Sequence, residues 1–248
     1  MDNDRIQREI EFHNDRFGSN ESTREKVDQF YSVMRAATEY YTSKASSYCK
    51  DKKLLEYGCG TGSYSLQWLK LGAIVSGIDI SDEAIKIAKK NISGSGYNAD
   101  YFVMNAEKTE FPDNCYDIIV GSGILHHLDL NNSFAELFRL LNNNGHAIFL
   151  EPLGHNPLIN LFRKLTPSMR TEDEHPLREK DLQLARKYFS RVNAEYFSLF
   201  TLIAIPFRSS KHFNSILSFL EKMDRSIMRI FPFLKKHSWA VVLEFVKL

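Results

Sequence analysis

Three kinds of residue in this chain are spaced to do chemistry. Glu56 is followed by glycines at alternate positions, Gly58, Gly60 and Gly62, in the run KLLEYGCGTGS. Glycines so placed let a backbone adopt positive φ and approach a ligand with no Cβ in the way. The next residues, YSLQWLKL, have helical spacing, so a helix N-terminus lies just beyond the turn, with free N–H groups facing anything negative or electron-rich. Asp79 closes the second apolar run, AIVSGIDIS. An acidic residue about twenty residues after such a turn is placed to accept hydrogen bonds from both hydroxyls of a ribose. His126, His127 and His155 follow two later apolar runs. With an unperturbed pKa of about 6.5, imidazole is the natural general base at neutral pH.

These groups need elements to hold them together. The runs KLLEY, AIVSGIDIS, YFVMNAEKTEFP, YDIIVGSGILHHL and GHAIFLEP read as strands, the last following the turn dipeptide Asn144-Gly145. Ser81-Asp82-Glu83 opens the helix after the second run, and Lys89-Lys90 lies in its last turn, both suited to the helix dipole. Strand alternating with helix predicts a mostly parallel, doubly wound sheet whose ligand sits outside the carboxyl ends of the strands.

The dinucleotide fingerprint G-x-G-x-x-G fails, because Ser63 stands where its third glycine belongs. The pattern E-x-G-x-G-x-G, together with the four runs after it, resembles the class I S-adenosylmethionine (SAM) dependent methyltransferases of the small-molecule type. That resemblance covers residues 53–152. It implies an α/β Rossmann-like fold with a seven-stranded sheet whose last strand is antiparallel, and SAM as cofactor. It implies cofactor contacts at Glu56, Gly58, Gly60, Gly62, Asp79, Ile80, Asn105, Ala106, Gly121 and Ser122. The family usually has Asp where this chain has Asn105, and the amide oxygen can accept the same bond from adenine. His126 and His127 follow the fourth strand beside the expected methionine end of SAM. His155 lies just past Glu151 across the same cleft. These three are the candidates for acceptor binding or base catalysis.

Outside the core, residues 1–52 read as an N-terminal helical arm or lid. Ser22-Thr-Arg-Glu25 has the capping-box pattern, and Val27, Phe30, Tyr31, Met34 and Tyr41 keep helical spacing after it. His13, Arg16 and Tyr31 are candidates to reach the site. Residues 153–176 break the strand–helix rhythm and read as a cap, with His155, Asn156, Arg163, Arg170, Glu174 and His175 as acceptor-binding candidates. Residues 177–248 complete the core as a helix, strand six and strand seven, with an insertion over about 198–237. In that insertion Ile216, Leu220, Met223, Ile227 and Phe231 define an amphipathic helix. Its basic residues make 216–236 a capping helix or a peripheral membrane or lipid contact.

The chain has 248 residues and a net charge of +1, which gives no global electrostatic case for a nucleic-acid partner. Its three cysteines suggest no disulfide framework, and its polar N-terminus no signal peptide, so a cytoplasmic soluble protein is expected. Adjacent histidines rarely point the same way, and His126, His127 and Glu151 match no standard ligand spacing, so no metal is expected. The resulting expectation is methyl transfer to oxygen or nitrogen of a small molecule, a secondary metabolite or lipid-like acceptor, by in-line displacement. Two alternatives keep the fold: a methyltransferase acting on RNA or protein, and a non-catalytic SAM-binding regulator at a membrane surface.

Overall fold

In the computed structural model, which describes residues 3–18, 31–166, 171 and 173–248, the apolar runs form the centre of a single sheet. Its strands are β1 (Lys53–Tyr57), β2 (Ile74–Asp79), β3 (Asp100–Val103), β4 (Tyr116–Ser122), β5 (Leu141–Pro152), β6 (Arg191–Phe197) and β7 (Ala240–Val246). Only Lys53 of β1 is exposed, and β7 is buried along its whole length. Near-continuous apolar strands of this kind belong in a sheet covered on both faces. The order is β3-β2-β1-β4-β5-β7-β6. Neighbours from β3 to β5 pair in parallel, and β7 lies antiparallel between β5 and β6. The expected sheet, with its antiparallel last strand, is therefore present. Strand order reverses between β1 and β4, which opens a crevice at their carboxyl ends.

The helices are α1 (Asn3–Gly18), α2 (Arg35–Ser46), α3 (Ser65–Lys70), α4 (Asp82–Ile92), α5 (Leu130–Leu140), α6 (Pro157–Leu165), α7 (Glu179–Ala185) and α8 (Phe213–Ile230). One face of the sheet is packed by Tyr41 and Ala45 of α2, Trp68 of α3, Ile85 and Ala88 of α4, and Leu217 and Leu220 of α8. The other is packed by Phe134 and Leu137 of α5, Leu182 and Ala185 of α7, and Phe189. Each such Leu, Ile or Phe contributes roughly 1.5–3 kcal/mol by leaving water. Ser81 caps α4 by accepting from Ala84 N–H, and Asp129 caps α5 by accepting from Asn132 N–H.

Three details differ from the sequence reading. The helix expected through Tyr31, Met34 and Tyr41 is interrupted: the chain turns at Ser32 and Val33, and α2 begins only at Arg35 with Met34 as its N-cap. Val33 and Met34, at the turn, are both buried in the core, at 1% and 4% exposure. The fifth strand starts earlier than expected, at Leu141. It carries Asn144 at φ 62°, and its pairing with β4 is irregular between Tyr116 and Ile118. The third strand ends at Val103, so Asn105 lies in the loop beyond it. The expected capping box at Ser22–Glu25, with Val27 and Phe30, lies outside the described residues.

Between β6 and β7 the chain makes a 3-10 helix at Thr201–Phe207, then α8, then a second 3-10 helix at Pro232–His237. The α8 stripe packs as a cap: Leu217, Leu220, Asp224 and Met228 are buried, and Ile216, Met223 and Ile227 are half-buried. Asp224 accepts from Leu199 N–H at 2.9 Å and Phe200 N–H at 3.0 Å. It thereby fixes the chain as it leaves β6. No helix among the described residues is long and apolar enough to cross a membrane.

Candidate active site

A cavity of about 730 Å³ fills the crevice at the β1/β4 strand tips. One wall is the glycine turn. Gly58 sits at φ 72°, and a Cβ there would meet Ile124 at 2.8 Å, so this position requires glycine on both counts. Gly60, at φ 50°, has Phe17 of α1 lying over it. The turn is tied to β2 twice: Cys59 N–H donates to the Ile78 carbonyl at 2.8 Å, and Gly60 N–H donates to Asp79 Oδ2 at 2.8 Å. Asp79 Oδ1 accepts from Ser81 N–H at 3.0 Å. Each carboxylate oxygen keeps a second lone pair, so Asp79 is oriented and still able to accept from a ligand.

Glu56 is 4% exposed and accepts a hydrogen bond from Ser65 at the start of α3. Burial pushes its carboxyl up to about 7, against the opposing effect of the Ser65 and Tyr64 hydrogen bonds. Ile80, Asn105 and Ala106 continue the wall beyond Asp79. Asn105 Oδ1 accepts from Glu107 N–H at 2.9 Å, which fixes the amide. Gly121 and Ser122 line the cavity from β4. Gly62 does not line it. It shapes the turn from behind, packed toward Tyr101, Ala88 and Ser65.

The opposite wall carries the histidines. A 3-10 turn at Leu125–His127 follows β4 and brings both rings into the cavity, tilted 38° with centroids 4.2 Å apart. The expectation that one of the two would point away therefore fails, because a 3-10 turn does not alternate side chains as a strand does. His126 Nδ1 meets Glu151 Oε2 at 2.7 Å. Glu151 has 0% exposure, and its Oε1 accepts from Ile124 N–H and Leu125 N–H, both at 2.9 Å. A carboxylate fixed by two backbone donors holds the His126 N–H on Nδ1, which leaves Nε2 as the basic atom.

His127 is 6% exposed, and burial, with His126 beside it, pushes its pKa down. Its Nδ1 lies 3.2 Å from Glu9 Oε2 of α1. Glu9 is held well below the usual carboxylate range: burial works the other way but is outweighed by His127 and His13. Glu174 points into the same space and pairs with Arg163. Burial raises its pKa, yet His126, His127 and Arg163 together bring it below the ordinary value.

The N-terminal helix roofs the cavity. Arg5 donates to the His127 carbonyl at 2.8 Å and pairs with Glu107, Asn14 accepts from Ser81 Oγ at 2.6 Å, and Arg8 pairs with Asp173 at 2.9 Å. His13 and Arg16 both line the space below, as does Tyr31, which is 53% exposed at the rim against Trp239. Two candidates lie elsewhere. His155 faces away from the cavity, its carbonyl accepting from His237. His175 is exposed, and only its backbone takes part, donating to the His126 carbonyl at 2.9 Å while its neighbour Glu174 turns inward. Arg170 lies outside the described residues. Sequence reasoning missed Arg5, Glu9 and Glu107, and it did not pair Glu151 with His126. The Glu9/His13 spacing of i, i+4 was the one local signal that could have added Glu9 to the expected lid.

With this geometry in place, the likeness to known proteins has a physical counterpart. Residues 55–149, from β1 to the inner half of β5, match the family described as "Methyltransferase domain". The ubiquinone biosynthesis O-methyltransferase of Nitrosomonas europaea is 33% identical over 114 residues, 45% of this chain and 48% of that one. The chain thus spans about half the length of the curated relatives it matches. Among solved structures, Haemonchus contortus phosphoethanolamine N-methyltransferase 2 in complex with S-adenosyl-L-methionine superposes with TM-score 0.60 at 18% identity. That match covers 80% of this chain and 49% of that one. Geranyl diphosphate C-methyltransferase from Streptomyces coelicolor gives TM-score 0.62 at 12% identity, covering 86% and 79%. Those two structures share the fold with this chain, and residues 55–149 carry its likeness to the methyltransferase domain family.

Proposed function

We propose that the protein transfers a methyl group from SAM to an oxygen or nitrogen of a small-molecule acceptor. One observation carries the reading: the His126–Glu151 pair opens into the same cavity as the glycine turn and Asp79. The cavity fits the cofactor on its own terms. Gly58 leaves a cradle that a Cβ would fill, Asp79 offers free lone pairs for two ribose hydroxyls, and Glu56 offers a carboxylate for the amino group. Ile80, Asn105 and Ala106 would flank the adenine, and Gly121 and Ser122 the methionine portion.

When bound, SAM supplies a methyl carbon already activated by its sulfonium. The chain's own residues position the acceptor and take its proton. His126 accepts that proton on Nε2, and Glu151 stabilises the imidazolium that results. His13 and Tyr31, on the roof and rim, are placed to contact the acceptor. A cavity roofed by a helix suits a small molecule better than a polymer. The curated relatives named as ubiquinone biosynthesis O-methyltransferases favour an oxygen of a secondary metabolite or lipid-like acceptor. We place the reaction in the cytoplasm, consistent with three free thiols.

A membrane-surface contact through 216–236 is part of this reading. Beside the buried stripe of α8, Phe219, Ile230 and Phe233 are 66–68% exposed, next to Lys222, Arg225, Arg229 and Lys236. Exposed aromatics interleaved with basic residues suit an anionic lipid interface.

The test is incubation of the protein with methyl-labelled SAM and fractionated cell extracts. Label is expected in a small-molecule or organic-soluble fraction. Label confined to protein or RNA, or SAM binding with no transfer in any fraction, would overturn the proposal.

A further inference from the structure

Under the roof helix lie two buried polar atoms with no hydrogen-bond partner, Glu9 Oε2 and His127 Nδ1. Their residues are 4% and 6% exposed. The two atoms are 3.2 Å apart without a hydrogen bond between them. An unsatisfied buried polar group costs about 1–3 kcal/mol, more when charged. A third group, His13 Nε2, approaches the same oxygen at 3.4 Å. We infer that Glu9, His13 and His127 form a binding site for a divalent transition-metal ion that joins the N-terminal helix to the turn after β4.

The distances carry the inference. Two ligand atoms about 2.1 Å from a common tetrahedral ion lie about 3.4 Å from each other. The separations of 3.2 Å and 3.4 Å from Glu9 Oε2 sit at that value. All three ligand atoms lie within 4.8 Å of one another, so closing the triangle needs only small side-chain rotations. The other carboxylate oxygen, Glu9 Oε1, accepts from the Thr171 hydroxyl. An outer-shell donor of this kind orients the ligating oxygen. Two imidazoles and a carboxylate suit zinc, cobalt or iron rather than magnesium or calcium. Three protein ligands leave a fourth position open toward the cavity.

A second grouping, His126, His127 and Glu174, shares His127. It is the weaker candidate because its members already have partners: Glu151 on His126 and Arg163 on Glu174. Two of the favoured ligands come from α1 and one from the core. Metal binding therefore fastens the roof, whatever reaction takes place beneath it.

Cobalt(II) titration of the EDTA-treated full-length protein, without SAM, tests this directly. One ion per chain is expected, with visible d–d absorption of a tetrahedral or five-coordinate site and a raised melting temperature. His13→Ala and Glu9→Gln should each weaken binding by more than the roughly 10–100-fold typical of losing an outer-shell partner. Thr171→Val should fall within that range, and His212→Ala, on the exposed surface, should change nothing. Circular dichroism of each variant separates lost binding from lost folding, and the wild-type titration needs no variant. Absence of cobalt binding by the folded wild type would leave a buried water as the partner of these atoms and end the proposal. So would loss of binding in His126→Ala but not in His13→Ala. Metal binding is read without methyl transfer, so this result stands apart from the fate of the catalytic reading.

Discussion

His126 and Glu151 are joined across two strand ends: Nδ1 of one meets Oε2 of the other at 2.7 Å, while Glu151 Oε1 holds the backbone of Ile124 and Leu125. The carboxylate thus sets both the position of the turn and the tautomer of the ring. His126→Ala should lower kcat by roughly 10²–10⁴, the usual range for a lost general base. Glu151→Gln keeps an oxygen for the two N–H groups but turns an amide N–H₂ toward Nδ1, forcing the proton onto Nε2. It should approach the same loss. Affinity for S-adenosylhomocysteine should be unchanged in His126→Ala, as read by calorimetry. If turnover persists near the wild-type rate in both variants, His126 is not the base.

With Glu56 as the proposed partner of the cofactor's amino group, cofactor affinity should depend on pH. Its folded pKa of about 7, raised from 4.5 by burial, means that the free protein holds this proton near neutrality. A ligand ammonium favours the ionised carboxylate, so binding must expel the proton at lower pH. Affinity for S-adenosylhomocysteine should fall by up to tenfold per pH unit below about 7. Calorimetry in buffers of different ionisation enthalpy should detect the released proton, and Glu56→Gln should flatten the profile. Without ligand, the folded state binds this proton more tightly than the unfolded chain between about 4.5 and 7. Its contribution to stability therefore falls as pH rises through that window.

Asp79→Ala removes the proposed acceptor of two ribose hydroxyls. Hydrogen bonds to a charged group contribute about 1.5–3 kcal/mol each. Affinity for S-adenosylhomocysteine should drop by at least about tenfold, even though the vacated Gly60 and Ser81 N–H groups can turn to water. Asp79→Asn should restore part of it. An Asp79→Ala protein that binds as tightly as wild type would remove this carboxylate from the cofactor site.

The exposed aromatics of the insertion predict a lipid contact. Phe219→Ser with Phe233→Ser should reduce flotation with anionic vesicles and leave flotation with neutral vesicles at its low level. Raised salt should weaken the wild-type interaction through the neighbouring basic residues. Equal flotation of wild type and double variant would argue that these rings serve another purpose.

Asp224 offers a check on the fold rather than the chemistry. Burial raises its carboxyl to about 6, and it still accepts from two backbone donors. Asp224→Ala leaves buried N–H groups unsatisfied and should cost about 1–3 kcal/mol. In a chain of this size each kcal/mol lowers Tm by roughly 2–4 °C. Asp224→Asn, which keeps an acceptor oxygen, should lose less.

What the sequence determined by itself was local and periodic. The glycine turn, the acidic tips of β1 and β2, and the alternation of apolar strand with helix are read within windows of a few residues. That is enough to fix the doubly wound sheet and where its crevice opens. The tertiary structure decided what arrives from a distance. Glu9 meets His127 across 118 positions of chain and Thr171 across 162, and nothing in their local patterns marks those meetings. It also decided direction: the 3-10 turn sends both His126 and His127 inward, while the chain after β5 turns His155 away and chooses Glu174 over His175. Side-chain direction in turns depends on backbone dihedrals and packing rather than on residue type, so the contacts that seat the N-terminal helix and the pairing of His126 with Glu151 became visible only in three dimensions.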